Sequence, residues 1–241
     1  MGRRQRHLNP GNTGAVLALD SRFITGLSDG DPVSTWIDRS GRGNNITQTS
    51  TARPTYKIAQ QSGQPVIRFD GLDDSMINTS TSLVTAGSSW GLIASGRMNA
   101  AIADLRGNIF ATRTTTRYWG CMYLRFQSTN YIHGNGVDLS ANVTLSNITF
   151  RTLPWVSSWI MNGSGNQPNH FTNGQSRSIN SAGTSQITET GTTGFVVGSN
   201  VSNQWHHGDI WNIIVVPGGI SSSLRRRIEH STAISFKIAC S

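Results

Sequence analysis

The sequence predicts an all-β antiparallel sandwich with one short helix near its C-terminal end. Three observations carry this. Only 13% of the 241 residues are charged, about half the ~25% of an ordinary soluble chain. Glu occurs only at 189 and 229 and Lys only at 57 and 237, so the residues that sustain solvated helices are scarce while Thr, Ser, Val, Ile and Gly abound. Short apolar runs recur between turn clusters, at strand rather than helix spacing. Hydrophobic residues still make up 36% of the chain, enough for a packed core.

The elements follow in order. Residues 15–20 (AVLALD) read as a first strand. An Asp-Gly-Asp-Pro turn at 29–32 leads into a strand over 33–38 (VSTWID). Residues 65–71 alternate, with Ile67 and Phe69 on one face and Arg68 and Asp70 on the other. Over 90–98, Trp90, Leu92, Ala94 and Met98 share a side. Over 118–126, Tyr118, Met122, Leu124 and Phe126 oppose Trp119, Cys121, Tyr123 and Arg125. Over 155–161, Trp155, Trp159 and Met161 oppose Val156 and Ile160. Strands are also expected over 142–150, 194–200 and 209–216, and hairpin loops through the Ser-, Gly- and Asn-rich stretch 163–193. The helix is expected over 221–237: Ser221 or Ser222 can cap it, and Leu224 and Ile228 lie four apart on one face.

Charge is unevenly placed. Of the net +8, six come from Arg3, Arg4 and Arg6 at the start and Arg225, Arg226 and Arg227 near the end. A nucleic-acid binder spreads basic residues over a face of its body, whereas here the body is nearly neutral. These six arginines are therefore expected to touch partner proteins or further copies of the chain, with nucleic acid an unlikely partner. The opening MGRRQRHLNPGNTG has no apolar stretch behind its basic residues, so no secretory signal is expected. No apolar run approaches the ~20 residues of a membrane helix, and no membrane partner is expected. Cys121 and Cys240 form no disulfide framework and are expected as free thiols, in a protein made in a reducing cytoplasm.

Residues 29–71 carry a run of motifs: Asp29–Asp31, Trp36, Asp-x-Ser-Gly-x-Gly-Asn over 38–44, Arg-Pro-Thr-Tyr over 53–56, and Phe-Asp-Gly over 69–71 followed by Asp73 and Asp74. With Phe-Thr-Asn-Gly at 171–174, Gly208-Asp209-Ile210 and the helix over 224–238, they resemble the concanavalin A-like, laminin-G-like jelly-roll family of bacterial and phage proteins. The resemblance spans roughly residues 15–238. It implies a concanavalin A-like jelly-roll β-sandwich over 15–241, closed by the helix at 221–237 and preceded by a basic arm over 1–14. Asn212 departs from the pattern, where relatives often carry an acidic residue.

Catalytic apparatus is hard to find. Sandwich glycoside hydrolases use two carboxylates on one strand face, and their acidic triplet is missing here. Ser89 sits in a formal G-x-S-x-G match at 87–91, but without the strand–turn–helix a nucleophile elbow requires. His206 and His207 are adjacent and would point to opposite faces of a strand. No enzyme activity, catalytic residue or resident metal is expected. Asp29, Asp31, Asp73 and Asp74 suit turns, with Ca²⁺ the only cofactor they suggest. Ligand binding is expected at Trp119, Tyr123 and Arg125, where flat rings and a guanidinium can meet sugars, and at Trp205. The function expected is a non-enzymatic, lectin-like structural protein of a phage virion, a capsid decoration (cement) or fibre-associated protein that contacts neighbouring virion proteins and surface glycans. The alternatives are a free carbohydrate-binding lectin module and a polysaccharide-degrading glycoside hydrolase.

Overall fold

Strand alternation is realised as two apolar faces. Trp90, Leu92, Ala94, Met98, Trp155, Trp159 and Met161 join one buried cluster with Ile67 and Phe69, while Ile93, Val156 and Val66 belong to another. The structure, a computed structural model, describes residues 12–79, 82–85, 87–99, 106–113, 118–127, 129–133, 153–163, 168–177, 194–199 and 205–240. Side chains of 106, 113, 118–127 and 129–133 are outside that description.

The strands are β1 (Leu17–Asp20), β2 (Thr35–Trp36), β3 (Ile46–Thr47), β4 (Thr55–Gln61), β5 (Gln64–Asp70), β6 (Met76–Asn78), β7 (Ser89–Met98), β8 (Arg106–Arg113), β9 (Tyr118–Gln127), β10 (Thr129–His133), β11 (Trp155–Asn162), β12 (Asn169–Thr172), β13 (Gln175–Arg177), β14 (Gly194–Val197) and β15 (His207–Pro217). The helix α1 (Ser222–Phe236) follows. One antiparallel sheet runs β13-β12-β11-β7-β15-β5-β4, with β1 also paired to β15; the other runs β10-β9-β8-β14-β6-β3-β2. The larger apolar cluster draws on both sheets, combining Trp36, Phe110 and Phe195 with Leu92, Trp155 and Ile213. The chain is thus an all-β jelly-roll sandwich with a C-terminal helix, as expected.

The second cluster lies on the far face of the first sheet. There Val66, Ile93, Val156 and Trp211 meet Ile228, Ala233 and Phe236 of α1, with the Trp211 and Phe236 rings stacked at 5.1 Å. Ser221 caps the helix through the Leu224 N–H. A buried polar clamp docks it: Glu229 accepts from Ser158 on β11 at 2.6 Å and from Arg225 at 2.6 Å. The Arg225 guanidinium lies 3.5 Å from the Phe171 ring centroid. Arg225 is therefore buried, contrary to its expected place in an exposed basic cluster. An interior guanidinium requires a carboxylate partner, and Glu229 one turn along provides it.

The motif at 38–44 is a hub of the loop layer. Asp38 accepts the backbone N–H groups of Ala18, Ser40 and Asn44 and the Ser40 hydroxyl. The Asn44 side chain returns to the Val16 carbonyl at 2.7 Å. Within the expected loop stretch 163–193, β12 and β13 form a hairpin whose turn is Asn173-Gly174, both at positive φ, the usual two-residue solution. β3, β4, β6, β8 and β10 are not legible in the sequence. β4 and β8 carry register irregularities that break period-2 alternation. The strand expected over 142–150 falls outside the described residues, as do Arg3, Arg4 and Arg6.

Candidate functional site

A row of three charged residues crosses the first sheet. On β15, Asp209 stands directly opposite Arg68 of β5 and Arg97 of β7. Arg68 follows Val66 by two and Arg97 follows Ile93 by four, so alternation puts the row on the helix-bearing face. The Asp209 side chain is only 2% exposed, against 36% for Arg68 and 30% for Arg97. Arg68 donates to both Asp209 oxygens, at 2.7 and 3.1 Å, and Arg97 Nε donates to Oδ2 at 2.8 Å. Hydrogen bonding to Asp209 raises the Arg68 pKa above its usual value. One sunken carboxylate thus holds two half-exposed guanidiniums in fixed positions.

These side chains open onto a groove of about 400 Å³, lined by Gln60, Arg68, Arg97, Asn99 and Asp209 among others. Gln60 is committed at both ends: its carbonyl accepts from Arg68 at 3.1 Å and its amide donates to the Ile58 carbonyl at 3.0 Å. Asn99 lies 3.4 Å from the His207 imidazole. The next polar row towards the helix is Ser95–Asn212–Thr232, hydrogen-bonded at 2.5 and 2.8 Å. Asn212 thus joins two strands to α1 by using both its donor and its acceptor, which an acidic residue could not do.

Among the described residues, other clusters offer less. Ser157 and His170 are 2.8 Å apart, but both are buried, and His170 stacks on Trp159 at 4.1 Å. Burial lowers the His170 pKa well below the usual imidazole value, which suits a core pair rather than a nucleophile and base. Asp70, Asp73 and Asp74 have ligand atoms within 4.8 Å of one another and could hold a cation. Burial pushes the Asp74 carboxyl up to about 6. Asp29 is engaged by Lys57 at 2.5 Å and by the Ile58 N–H, which hold its pKa below the usual range. Asp31 accepts the Ser28 N–H.

The expected sugar-binding residues lie in the second sheet, on β9. Trp119 pairs with Thr112, Tyr123 with Asn108 and Arg125 with Arg106. The register shifts between Phe110 and Ala111, opposite Met122 and Gly120. Cys121 is therefore an extra residue, and strict alternation does not connect Trp119 with Tyr123 and Arg125. The side chains of these three lie outside the described residues. Trp205 is half-buried and does not line the groove. Arg226 and Arg227 are exposed. With His230, Cys240 and Gly174 they line a second groove of about 370 Å³ between α1 and the β12–β13 turn. Burial pushes the Cys240 thiol up to about 11, so it is a poor nucleophile.

Alternation in the sequence places Arg68 on the face opposite Ile67 and Phe69, and the Gly208-Asp209-Ile210 motif places Asp209 at a strand start. Neither joins them to Arg97, because pairing across 141 and 112 residues depends on strand register.

No protein-family model matches the chain. No curated protein matches it in sequence either. Solved structures do match in fold. A Trypanosoma rangeli sialidase in complex with sialic acid superposes with a TM-score of 0.59 at 13% identity, over 92% of this chain and 33% of the sialidase. An arabinofuranosidase complexed with arabinofuranosyl-alpha-1,2-xylobiose gives 0.61 at 10% identity, over 95% of this chain and 65% of the enzyme. The binding domain of botulinum neurotoxin serotype D gives 0.61 at 10% identity, over 92% and 52%. The chain therefore spans about a third of the sialidase's length and shares with these proteins a β-sandwich fold.

Proposed function

We propose that this protein is a non-enzymatic, lectin-like binding module of the concanavalin A-like, laminin-G-like group, and that it takes a saccharide in the Arg68–Asp209–Arg97 groove. The carrying observation is the in-register row itself. Asp209 holds Arg97 by Nε alone, so its Nη1 and Nη2 groups have no partner among the described residues. Pre-organised donors beside a polar groove of this volume suit a small polar ligand. The motifs over 29–71 and 208–210 support the group assignment, and the fold shared with a toxin binding domain and saccharide-processing enzymes is consistent with it.

A non-catalytic role is supported by the groove's acid chemistry. Most glycoside hydrolases use two carboxylates. Among the described lining residues there is one, Asp209, and both its oxygens are bound by arginine. The test is a glycan array probed with the wild-type protein and with Arg97→Lys. Binding that weakens in the variant is expected; a blank array, or release of reducing sugar from a bound glycan, overturns the reading.

A place on a phage particle, as a decoration or fibre-associated protein, is the narrower proposal. Its support is the exposed Arg226–Arg227 pair beside the second groove, a cationic surface suited to a neighbouring protein. Its test is mass spectrometry of purified particles, and absence of the chain from them removes it.

A further inference from the structure

We infer that the groove's ligand is an anionic saccharide, a sugar whose carboxylate is gripped by Arg97 with help from Arg68. This rests on the saccharide-binding reading above. The argument is a count of donors and acceptors. The row carries two guanidiniums and one carboxylate, leaving one positive charge in excess. The Asp209 oxygens are already occupied, by Arg68 and Arg97. The Gln60 carbonyl is occupied by Arg68. Arg97 keeps Nη1 and Nη2 without partners among the described residues, and Arg68 keeps Nη1.

The groove thus offers donors and few acceptors. A neutral sugar presents hydroxyls that donate as well as accept, so part of its hydrogen-bonding capacity would be unmet here. A carboxylate only accepts, and its two oxygens match the planar fork of a guanidinium. Asp209 behind the arginines fixes their rotamers before any ligand arrives, which reduces the entropy lost on binding. Asp209 lines the groove, but it is nearly buried and both its oxygens are covered by guanidinium N–H groups, so it restrains the two arginines while they screen its charge from the ligand.

The test uses the full chain and three probes in isothermal titration: polygalacturonate, its fully methyl-esterified form, and sulfated dextran. Polygalacturonate is expected to bind, and the ester is expected to bind at least about tenfold more weakly, the loss of one charged hydrogen-bonding pair. Arg97→Lys should reproduce that loss while thermal unfolding stays near wild type, because a cation still faces Asp209. Asn99→Ala should leave unfolding unchanged and weaken binding less. Arg226→Gln, at the other groove, should leave binding unchanged.

Equal binding of ester and acid overturns the anionic assignment and leaves the saccharide reading standing. Binding of sulfated dextran in place of polygalacturonate overturns the carboxylate in favour of a sulfate. Loss in Arg226→Gln equal to that in Arg97→Lys shows attraction of a polyanion to a basic protein and overturns the site. If all three probes and a neutral glycan array are blank, the saccharide reading itself falls.

Discussion

The Asp38 carboxylate accepts the backbone N–H of Ala18 at 2.9 Å, joining the 38–44 loop to β1 across twenty residues. The same carboxylate serves Ser40 and Asn44. A motif legible as a turn is also a tertiary bolt, holding together two stretches that share no sheet pairing.

Asp38→Ala is expected to leave three amides, at nearly buried residues, without their acceptor. Unmet buried donors cost about 1–3 kcal/mol each, though relaxation to water reduces the sum, so a loss of roughly 3 kcal/mol is expected. For a chain of this size that is about 6–12 °C in melting temperature. Circular dichroism melts check it, and Asp38→Asn, which keeps one acceptor oxygen, should lose less.

Glu229→Ala strands Arg225 beneath the helix without its partner. Breaking a buried pair on one side costs about 3–5 kcal/mol. Replacing both partners, as Arg225→Met with Glu229→Leu, should recover much of that loss, since no unpaired charge remains. A double-mutant cycle in urea measures the coupling; equal destabilisation of single and double variants argues against the clamp.

Asp74 is expected to make stability fall as pH rises. Its folded pKa is about 6 against an ordinary 3.8, so between those values the folded chain holds a proton that the unfolded chain has lost. By linkage, this group's favourable contribution is complete below about 4 and is lost as pH rises through about 6. Asp74→Asn, which can still accept the Asp70 N–H, should therefore gain stability over wild type on passing from pH 4 to pH 7. Urea midpoints at several pH values check the difference.

His206 works in the opposite sense. It is fully buried, edge-on to Phe69 with ring centroids 5.9 Å apart, and burial lowers its pKa to about 3. Below about 6.5 the unfolded chain takes up a proton that the folded chain refuses, so stability declines as pH falls from about 6.5 towards 3. His206→Leu should flatten that acid limb. An unchanged limb would show that the imidazole is not held neutral.

Gly96 allows β15 to approach β7: a Cβ there would stand 2.3 Å from the Asp209 carbonyl and 3.1 Å from Trp155. Gly96→Ala should shift the Asp209 backbone, weakening ligand binding at the groove as well as stability. Parallel melts and titrations check it, and a stable protein with full binding would show that the sheet absorbs the methyl elsewhere.

The amino-acid sequence determined the fold class and much of the core. Scarce Glu and Lys, period-2 alternation over 90–98 and 155–161, and the capped 221–237 stretch are local signals, and side chains such as Trp90, Trp159 and Ile228 fell where those periods put them. A register shift interrupts the period-2 pattern at Cys121, and such irregularities hid β8 altogether. Net charge also misled at Arg225, because composition does not reveal which cation turns inward. The tertiary structure alone decided the candidate site. Asp209 meets Arg68 and Arg97 through the register of three strands far apart in sequence. Register is set by packing of the whole sheet, an interaction among distant residues that no local pattern encodes.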